Sequence, residues 1–295
     1  MKRIILSLKY YFKFLMIIVI IYFLSSCSAT TPSAPIVSSF IADDTTIDEG
    51  ESVTLSWSVT DASTVTINPG GLIVALSGST SVSPTETTTY TLTASNSAGS
   101  SSATITIKIL LRTILIPNES QSKDTFVTNE NPLMSYDGAP YLAAGTLWES
   151  GIIERTYLQF DISAIAGNSV ITEAKLGLFF KDPMSYVSIP IYVEVPLAVY
   201  EVKGYWDEAS LNWNNQPAAN SLYEDVQTLA GDGDKYIYWD ITSLLQGWVS
   251  GTKSNYGIRL SDEDETTLDD SKLFSSSSEP VGVERPKLII SYYIP

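Results

Sequence analysis

The sequence has no histidine and only one cysteine among its 295 residues, and both shortages restrict the chemistry open to the protein. Without histidine, the chain cannot form a Ser-His-Asp triad, a Cys-His pair or a histidine-based zinc site. With one cysteine, it cannot form an internal disulfide bond or a cluster of thiolate metal ligands. Carboxylate chemistry remains, either as an acid and base pair of the glycosidase type or as a calcium site built from oxygen ligands.

Positive charge is also scarce in this chain. There are 17 Lys and Arg against 33 Asp and Glu, which gives a formal net charge of −16. A surface this acidic repels nucleic acid and anionic lipid headgroups. We therefore expect neither of them to be a partner.

The single cysteine, Cys27, ends an N-terminal segment that has the layout of a secretory signal. A hydrophobic run over residues 14–24 leads to the small residues Ser25 and Ser26. Four cations precede the run, namely Lys2, Arg3, Lys9 and Lys13. The run of about 11 apolar residues is short for a membrane span, which needs about 20. We therefore predict that residues 1–26 are a signal peptide rather than an uncleaved anchor.

The string Leu24-Ser25-Ser26-Cys27 resembles the bacterial lipobox, in which the cysteine receives a diacylglycerol and becomes the new N-terminus. The resemblance implies cleavage after Ser26, lipidation of Cys27 and contact with the membrane through this anchor. Ser28 follows the cysteine, at the position where an aspartate would retain a lipoprotein at the inner membrane. The expected location is the cell envelope, at the outer membrane or the cell surface.

A flexible tether at residues 27–35 leads into a first β-pattern over residues 36–110. Apolar residues alternate with polar ones there, as at Val53, Leu55, Trp57 and Val59. Turn-forming residues interrupt the alternation at short intervals, which predicts a β-sandwich of short strands. The run at 87–90 resembles the tyrosine corner of bacterial immunoglobulin-like modules. We expect an immunoglobulin-like domain that acts as a stalk.

Residues 113–295 are also strand-rich and contain one convincing helical pattern. Four apolar side chains share one helical face within residues 240–249, namely Ile241, Leu244, Leu245 and Trp248. This spacing predicts a short amphipathic helix. Asp240 can cap its start and Gly251 can end it.

Several strings of this second domain occur in a specific order. They are 124–127 (DTFV), 155–163 (RTYLQFDIS), 206–217 (WDEASLNWNNQP) and 285–288 (RPKL). In this order they resemble the DNRLRE domain, which is related to the repeats of archaeal disaggregatase and is grouped with alginate-binding carbohydrate-binding modules. The resemblance implies a jelly-roll β-sandwich that binds polysaccharide. The fold class expected for the whole chain is all-β, with the immunoglobulin-like sandwich followed by this jelly roll and its one helix.

The charge of the second domain restricts the polysaccharide that it can bind. Acidic residues outnumber basic ones by more than two to one within residues 113–295. A polyuronate such as alginate would be repelled unless salt or calcium screened the two surfaces. We expect a neutral polysaccharide as the ligand, or an acidic one when calcium is present as a cofactor.

Aromatic side chains are the first candidates for sugar contact, because one face of a pyranose ring is apolar. Four tryptophans lie inside strings of this resemblance, and we expect them to pack in the core. They are Trp206 and Trp213 in 206–217, Trp239 in a further string at 239–242 (WDIT) and Trp248 in another at 248–251 (WVSG). Trp148 and Tyr141 lie outside these strings and are the candidates for an exposed binding platform.

Polar candidates cluster beside the tryptophans. They are Asp207, Glu208, Asn214 and Asn215, which suit a calcium or sugar-hydroxyl site but also suit turn capping. Arg155 and Asp161 are expected to form a buried ion pair that fixes strand register. The acidic strings at 231–234 and 262–265 lack the full calcium-loop pattern and are interpreted as solvated loops.

Three functions remain open. The leading hypothesis is a lipid-anchored, non-catalytic protein whose jelly roll binds a glycan. The second is a structural or adhesive surface protein that makes protein contacts, and the third is a polysaccharide-cleaving enzyme that uses carboxylates. An exposed aromatic strip would favour the first, a broad apolar patch the second, and a cleft with two facing carboxylates the third.

Overall fold

The computed structural model describes residues 31–116, 122–147, 150–181, 194–230, 233–266, 270–280 and 282–295. Within these ranges the chain forms 18 β-strands and one α-helix. The expected all-β class is therefore confirmed. Cys27 and Trp148, two of the residues singled out above, lie outside the described ranges.

The strands are numbered in chain order. The first eight are β1 Ile36–Ala42, β2 Thr46–Asp48, β3 Val53–Thr60, β4 Thr64–Asn68, β5 Leu72–Val74, β6 Ser77–Val82, β7 Thr88–Asn96 and β8 Gly99–Leu115. The next five are β9 Ser122–Thr128, β10 Tyr141–Leu147, β11 Ile152–Phe160, β12 Val170–Phe180 and β13 Val195–Glu201. The last five are β14 Asp225–Leu229, β15 Lys235–Asp240, β16 Ile258–Asp262, β17 Ser271–Ser275 and β18 Lys287–Tyr293. Helix α1 spans Thr242–Val249.

The chain divides into two compact units. The described part of the first comprises residues 31–44, Val53–Val82 and Thr89–Thr106. It contains the three-stranded sheet β1-β3-β6 and the strand order β8-β7-β4-β5. Every second residue of β3 from Val53 to Val59 is buried, as the alternation predicts. Independent folding of the domains at 36–110 and 113–295 stays a prediction.

The second unit comprises Thr45–Ser52, Ser83–Thr88 and Ile107–Pro295. Its strands follow the order β14-β13-β16-β11-β10-β17-β12-β18-β8, with β9 paired to β11 and β15 paired to β12. The core is lined by the inward side chains of these strands, among them Phe180, Trp239 and Phe274. Helix α1 adds Leu244 and Leu245 to the same core, as its apolar face predicts.

The capping of helix α1 differs slightly from the expectation. Ile241 is the N-cap residue, and its side chain makes no capping hydrogen bond. The carboxylate of Asp240, one residue earlier, accepts the backbone N–H of Thr242 at 2.8 Å. Gly251 follows the helix at φ +72°, the left-handed conformation that favours glycine.

A second, smaller core lies on the other side of β11. It consists of Val127, Tyr157, Val202, Trp206 and Leu211. Trp213 packs against its edge and is only partly buried, and the guanidinium of Arg155 lies 4.5 Å from the centroid of its ring. Core packing is therefore confirmed for Trp206, Trp239 and Trp248, whereas Trp213 is a boundary residue.

The predicted ion pair between Arg155 and Asp161 is wrong. Arg155 instead forms a bidentate ion pair with Glu265, in which Nε of Arg155 lies 2.6 Å from Oε1 of Glu265. Asp161 accepts the backbone N–H of Ser163 in a turn. Six residues of extended strand span about 20 Å, so Arg155 and Asp161 cannot meet along β11.

Candidate functional site

A pocket of about 700 Å³ opens in the second unit, where β9 begins and β11 ends. Three of its wall residues bear a cation or an amide, namely Lys123, Gln159 and Asn255. Four further wall residues bear carboxylates, namely Asp137, Asp161, Asp207 and Glu208. The pocket wall therefore combines polar and apolar surface and carries an excess of negative charge.

Trp206 fixes one wall of the pocket. Its indole N–H donates to the carbonyl of Tyr256 at 2.8 Å, and its ring packs edge-on against Tyr157. The chain then makes a single 3-10 turn, Glu208–Ser210, in which the Ser210 hydroxyl donates to Asp207 at 2.9 Å. A buried tryptophan thus holds the two acidic residues at the pocket wall.

The two amides of the pocket wall, those of Gln159 and Asn255, are held by backbone groups. Gln159 donates to the carbonyl of Asn255 at 2.7 Å, and the side chain of Asn255 donates to the carbonyl of Phe160 at 2.9 Å. Gly257 follows at φ +84°, and a Cβ there would lie 2.1 Å from the carbonyl oxygen of Leu158. This close approach of two backbones requires glycine, and it sets the position of Asn255.

Among the pocket residues, Glu208 has the pKa that departs most from its ordinary value. Burial raises the pKa of its carboxyl to about 7, and the nearby carboxylates of Asp124 and Asp137 act in the same direction. The backbone N–H of Asp124, which donates to Glu208 at 2.8 Å, and the charge of Lys123 oppose this rise in pKa. Glu208 therefore changes charge near neutral pH.

This pKa makes stability depend on pH in a defined direction. The pKa of Glu208 rises from an ordinary 4.5 to about 7, so the folded state holds the proton more tightly than the unfolded state. The free energy of unfolding should therefore fall as pH rises from about 4.5 to about 7. We expect Glu208→Gln to flatten this dependence, as measured by urea midpoints at several pH values. If Glu208→Gln leaves the pH dependence of stability unchanged, the raised pKa is contradicted. The control is Glu263→Gln, because Glu263 is an exposed carboxylate outside the pocket.

Lys123 links the pocket to an exposed aromatic ring. Its ammonium donates to the carbonyl of Trp206 at 3.1 Å and lies 4.7 Å from the ring centroid of Tyr205. The side chain of Tyr205 is 73% exposed. An exposed aromatic ring therefore stands beside the pocket, and its cation–π contact with Lys123 limits its motion.

The predicted site residues separate into two groups. Asp207 and Glu208 line the pocket, whereas Asn214 and Asn215 do not. The side chain of Asn215 accepts the backbone N–H of Asn212 at 2.7 Å, and the backbone N–H of Asn214 donates to the side chain of Asn212 at 3.1 Å, so both residues take part in a local turn. Tyr141 lies outside the pocket on β10, 40% exposed, with its ring 5.4 Å from that of Phe126.

Sequence reasoning missed Lys123, Tyr205, Gln159 and Asn255. Tyr205 directly precedes the string at 206–217, and Gln159 lies inside the string at 155–163, so these positions were the available signals. The hydrogen bond between Gln159 and Asn255 depends on the fold and could not be predicted.

Two further observations concern metals and membranes. Within the part of the chain that the structure describes, no group of three or more Asp, Glu, His or Cys residues is arranged to hold a metal ion. The described residues also include no helix that is long and apolar enough to cross a bilayer.

Comparison with known proteins places this site in a family. The model of carbohydrate-binding module family 96 matches residues 117–292, more than half of the chain. The chain belongs to carbohydrate-binding module family 96. All residues of the pocket fall inside the family 96 match, and so does Tyr205.

A solved structure was also compared with the chain. It is described as "a putative glycoside hydrolase" from Bacteroides thetaiotaomicron. It is 9% identical, with 91% of this chain and 98% of that chain covered at a TM-score of 0.18, which is too low to support an argument. No curated protein matches the sequence. The expected carbohydrate-binding fold is thus supported by the family 96 match alone.

Proposed function

We propose that this protein is a lipid-anchored, non-catalytic component of the cell envelope that binds a neutral polysaccharide. The family 96 module, a jelly roll of the DNRLRE type, binds the polymer in the pocket beside Tyr205. The immunoglobulin-like unit is the stalk, and Cys27 carries the lipid at the outer membrane or the cell surface. The observation that supports sugar binding is the pocket with its exposed aromatic neighbour.

The chemistry of the pocket suits a neutral sugar. Carboxylates accept hydrogen bonds from hydroxyl groups, and the amides of Gln159 and Asn255 can both donate and accept. The ring of Tyr205 offers an apolar face to a pyranose ring. A polyuronate would bring further negative charge against four carboxylates and one cation, which opposes binding.

The basic residues outside the pocket do not reverse this balance. Arg155 is paired with Glu265, and Lys175 is paired with Glu173 at 2.6 Å. Arg259 lies over the ring of Tyr200, beside acidic residues that also act on that ring.

One observation favours the polysaccharide-cleaving alternative. Glu208 has the raised pKa of a general acid, and three other carboxylates line the same pocket. Incubation of the protein with each bound polysaccharide, followed by a reducing-end assay, separates the two functions. Release of reducing ends that Glu208→Gln abolishes would establish the enzyme, whereas unchanged polymer supports a binding module.

The proposal predicts that Tyr205→Ala weakens polysaccharide binding at least about tenfold, the loss typical of a central aromatic contact. The measurement is calorimetry with the chain from Ser28 onward, against neutral glucans and mannans and against alginate, with calcium and then with a chelator. Leu222→Ala is the matched control, because Leu222 is 78% exposed and does not line the pocket.

Two results would contradict this proposal. The first is equal affinity of Tyr205→Ala and the unmodified chain for every neutral polymer that binds. The second is tight alginate binding that survives the chelator at low salt, because the acidic pocket should repel it.

A further inference from the structure

Aromatic rings also lie on the outward face of β12, β15 and β18. In the register of these strands, Gly177 is paired with Tyr238 on one side and with Lys287 on the other. Phe179 is paired with Tyr236. The neighbours that alternate with them face the core, namely Leu176, Leu178, Trp239 and Leu288. We call the outward set of Gly177, Tyr236, Tyr238 and Lys287 the tyrosine strip.

Gly177 allows the strip to lie flat against the sheet. A Cβ at this position would lie 2.8 Å from Cε1 of Tyr238 and 3.1 Å from Cγ of Lys287. Both side chains therefore occupy the space that any other residue would fill. The ring of Tyr238 rests on the strand, and 37% of the residue remains exposed.

The rest of the strip holds these rings in place. The hydroxyl of Tyr236 lies 2.8 Å from the carbonyl oxygen of Val283 and 2.9 Å from that of Arg285, to which it donates. The rings of Tyr236 and Tyr238 are 6.0 Å apart and only 24° from parallel. Phe179 packs edge-on against Tyr236. Rings fixed in this way lose little conformational entropy when a ligand binds.

Lys287 supplies the hydrogen-bond donors of the strip. Its ammonium lies 3.3 Å from the ring centroid of Tyr236 and 5.3 Å from that of Tyr238. The strip thus combines nearly parallel aromatic rings with a donor of three hydrogen bonds. A purely apolar protein partner would leave this ammonium without water or an acceptor, at a cost in free energy. A sugar supplies both an apolar ring face and hydroxyl oxygens.

We propose that the tyrosine strip is a second carbohydrate-binding surface, on which the pyranose rings of a neutral polysaccharide stack against Tyr238 while Lys287 donates to their hydroxyls. That the ligand is a neutral polysaccharide rests on the proposed function. The location of the second surface does not rest on it, because no residue of the strip lines the pocket. Two sites on one chain let a single polymer bind twice, and this raises retention on long chains above the affinity of either site.

Calorimetry with a short neutral oligosaccharide tests the number of sites in the chain from Ser28 onward. We expect the unmodified chain to bind two oligosaccharide molecules. Tyr238→Ala and Tyr205→Ala should each bind one, and the double variant should bind none. On a long polymer, each single variant should lose about 10²-fold or more in retention, because avidity is lost. Tyr238→Phe keeps the ring and should keep both sites, whereas Gly177→Ala displaces the ring and should behave as Tyr238→Ala.

Circular dichroism and thermal melting establish that each variant is folded before binding is compared. The strip proposal is overturned if the unmodified chain binds only one oligosaccharide and Tyr238→Ala has the same stoichiometry and the same retention on the long polymer. In that case a loss of binding in Tyr205→Ala would leave the proposed function standing. If the unmodified chain binds no neutral glycan, the proposed function and the strip both fail.

Discussion

Replacement of Trp239 by alanine should lower the free energy of unfolding of the second unit by about 3–5 kcal/mol, as expected for removal of a large core ring. Trp239 is fully buried, and its ring packs edge-on against Phe274. Its indole N–H also donates to the carbonyl of Leu197 at 2.9 Å, so the alanine variant also loses a buried hydrogen bond.

Urea unfolding followed by near-ultraviolet circular dichroism measures this effect. Trp239→Phe keeps most of the ring and should cost less, because the cavity is smaller and mainly the hydrogen bond is lost. Lys235→Ala lies on the same strand at an exposed position and should change stability by no more than about 0.5 kcal/mol. A similar midpoint for the alanine variant and the unmodified chain would argue against Trp239 as a central core residue.

Replacement of Cys27 by serine should release the protein from the membrane fraction. A diacylglycerol supplies two acyl chains, and two chains give the stable anchoring that a single chain does not. The serine variant cannot form the thioether, so it should neither incorporate a fatty-acid probe nor partition into detergent. Fractionation and probe labelling of cells that produce each variant provide the measurement.

Ser28→Ala is the matched control for lipidation, because it changes the adjacent residue and leaves the thiol intact. It should label and fractionate as the unmodified chain does. Persistent membrane association of Cys27→Ser together with probe labelling would show that the lipobox interpretation is wrong. Membrane association without labelling would instead indicate an uncleaved apolar anchor.

Sequence alone predicted the features that depend on neighbours in the chain. The burial of alternate residues in β3 follows from the two-residue repeat of a strand, and helix α1 follows from its one apolar face. Both kinds of prediction need only the spacing of residues along one element.

Contacts between distant segments could not be predicted in this way. The partner of Arg155 is Glu265, 110 residues away, and no property of either residue selects this pairing over others. The pocket likewise combines Lys123, Gln159, Glu208 and Asn255, which lie on separate segments. Trp213 was expected in the core, but it lies at the edge of the smaller core, where Arg155, 58 residues earlier in the chain, stacks on its ring.

Gly177 also gives a way to sort related modules from sequence alone. Because the ring of Tyr238 occupies the place of a Cβ at position 177, an alanine or larger residue there would force the ring away from the sheet. A relative that has a tyrosine on β15 but no glycine opposite it on β12 should therefore lack a flat strip. Two residues in an alignment are then enough to separate modules that can carry this surface from modules that cannot.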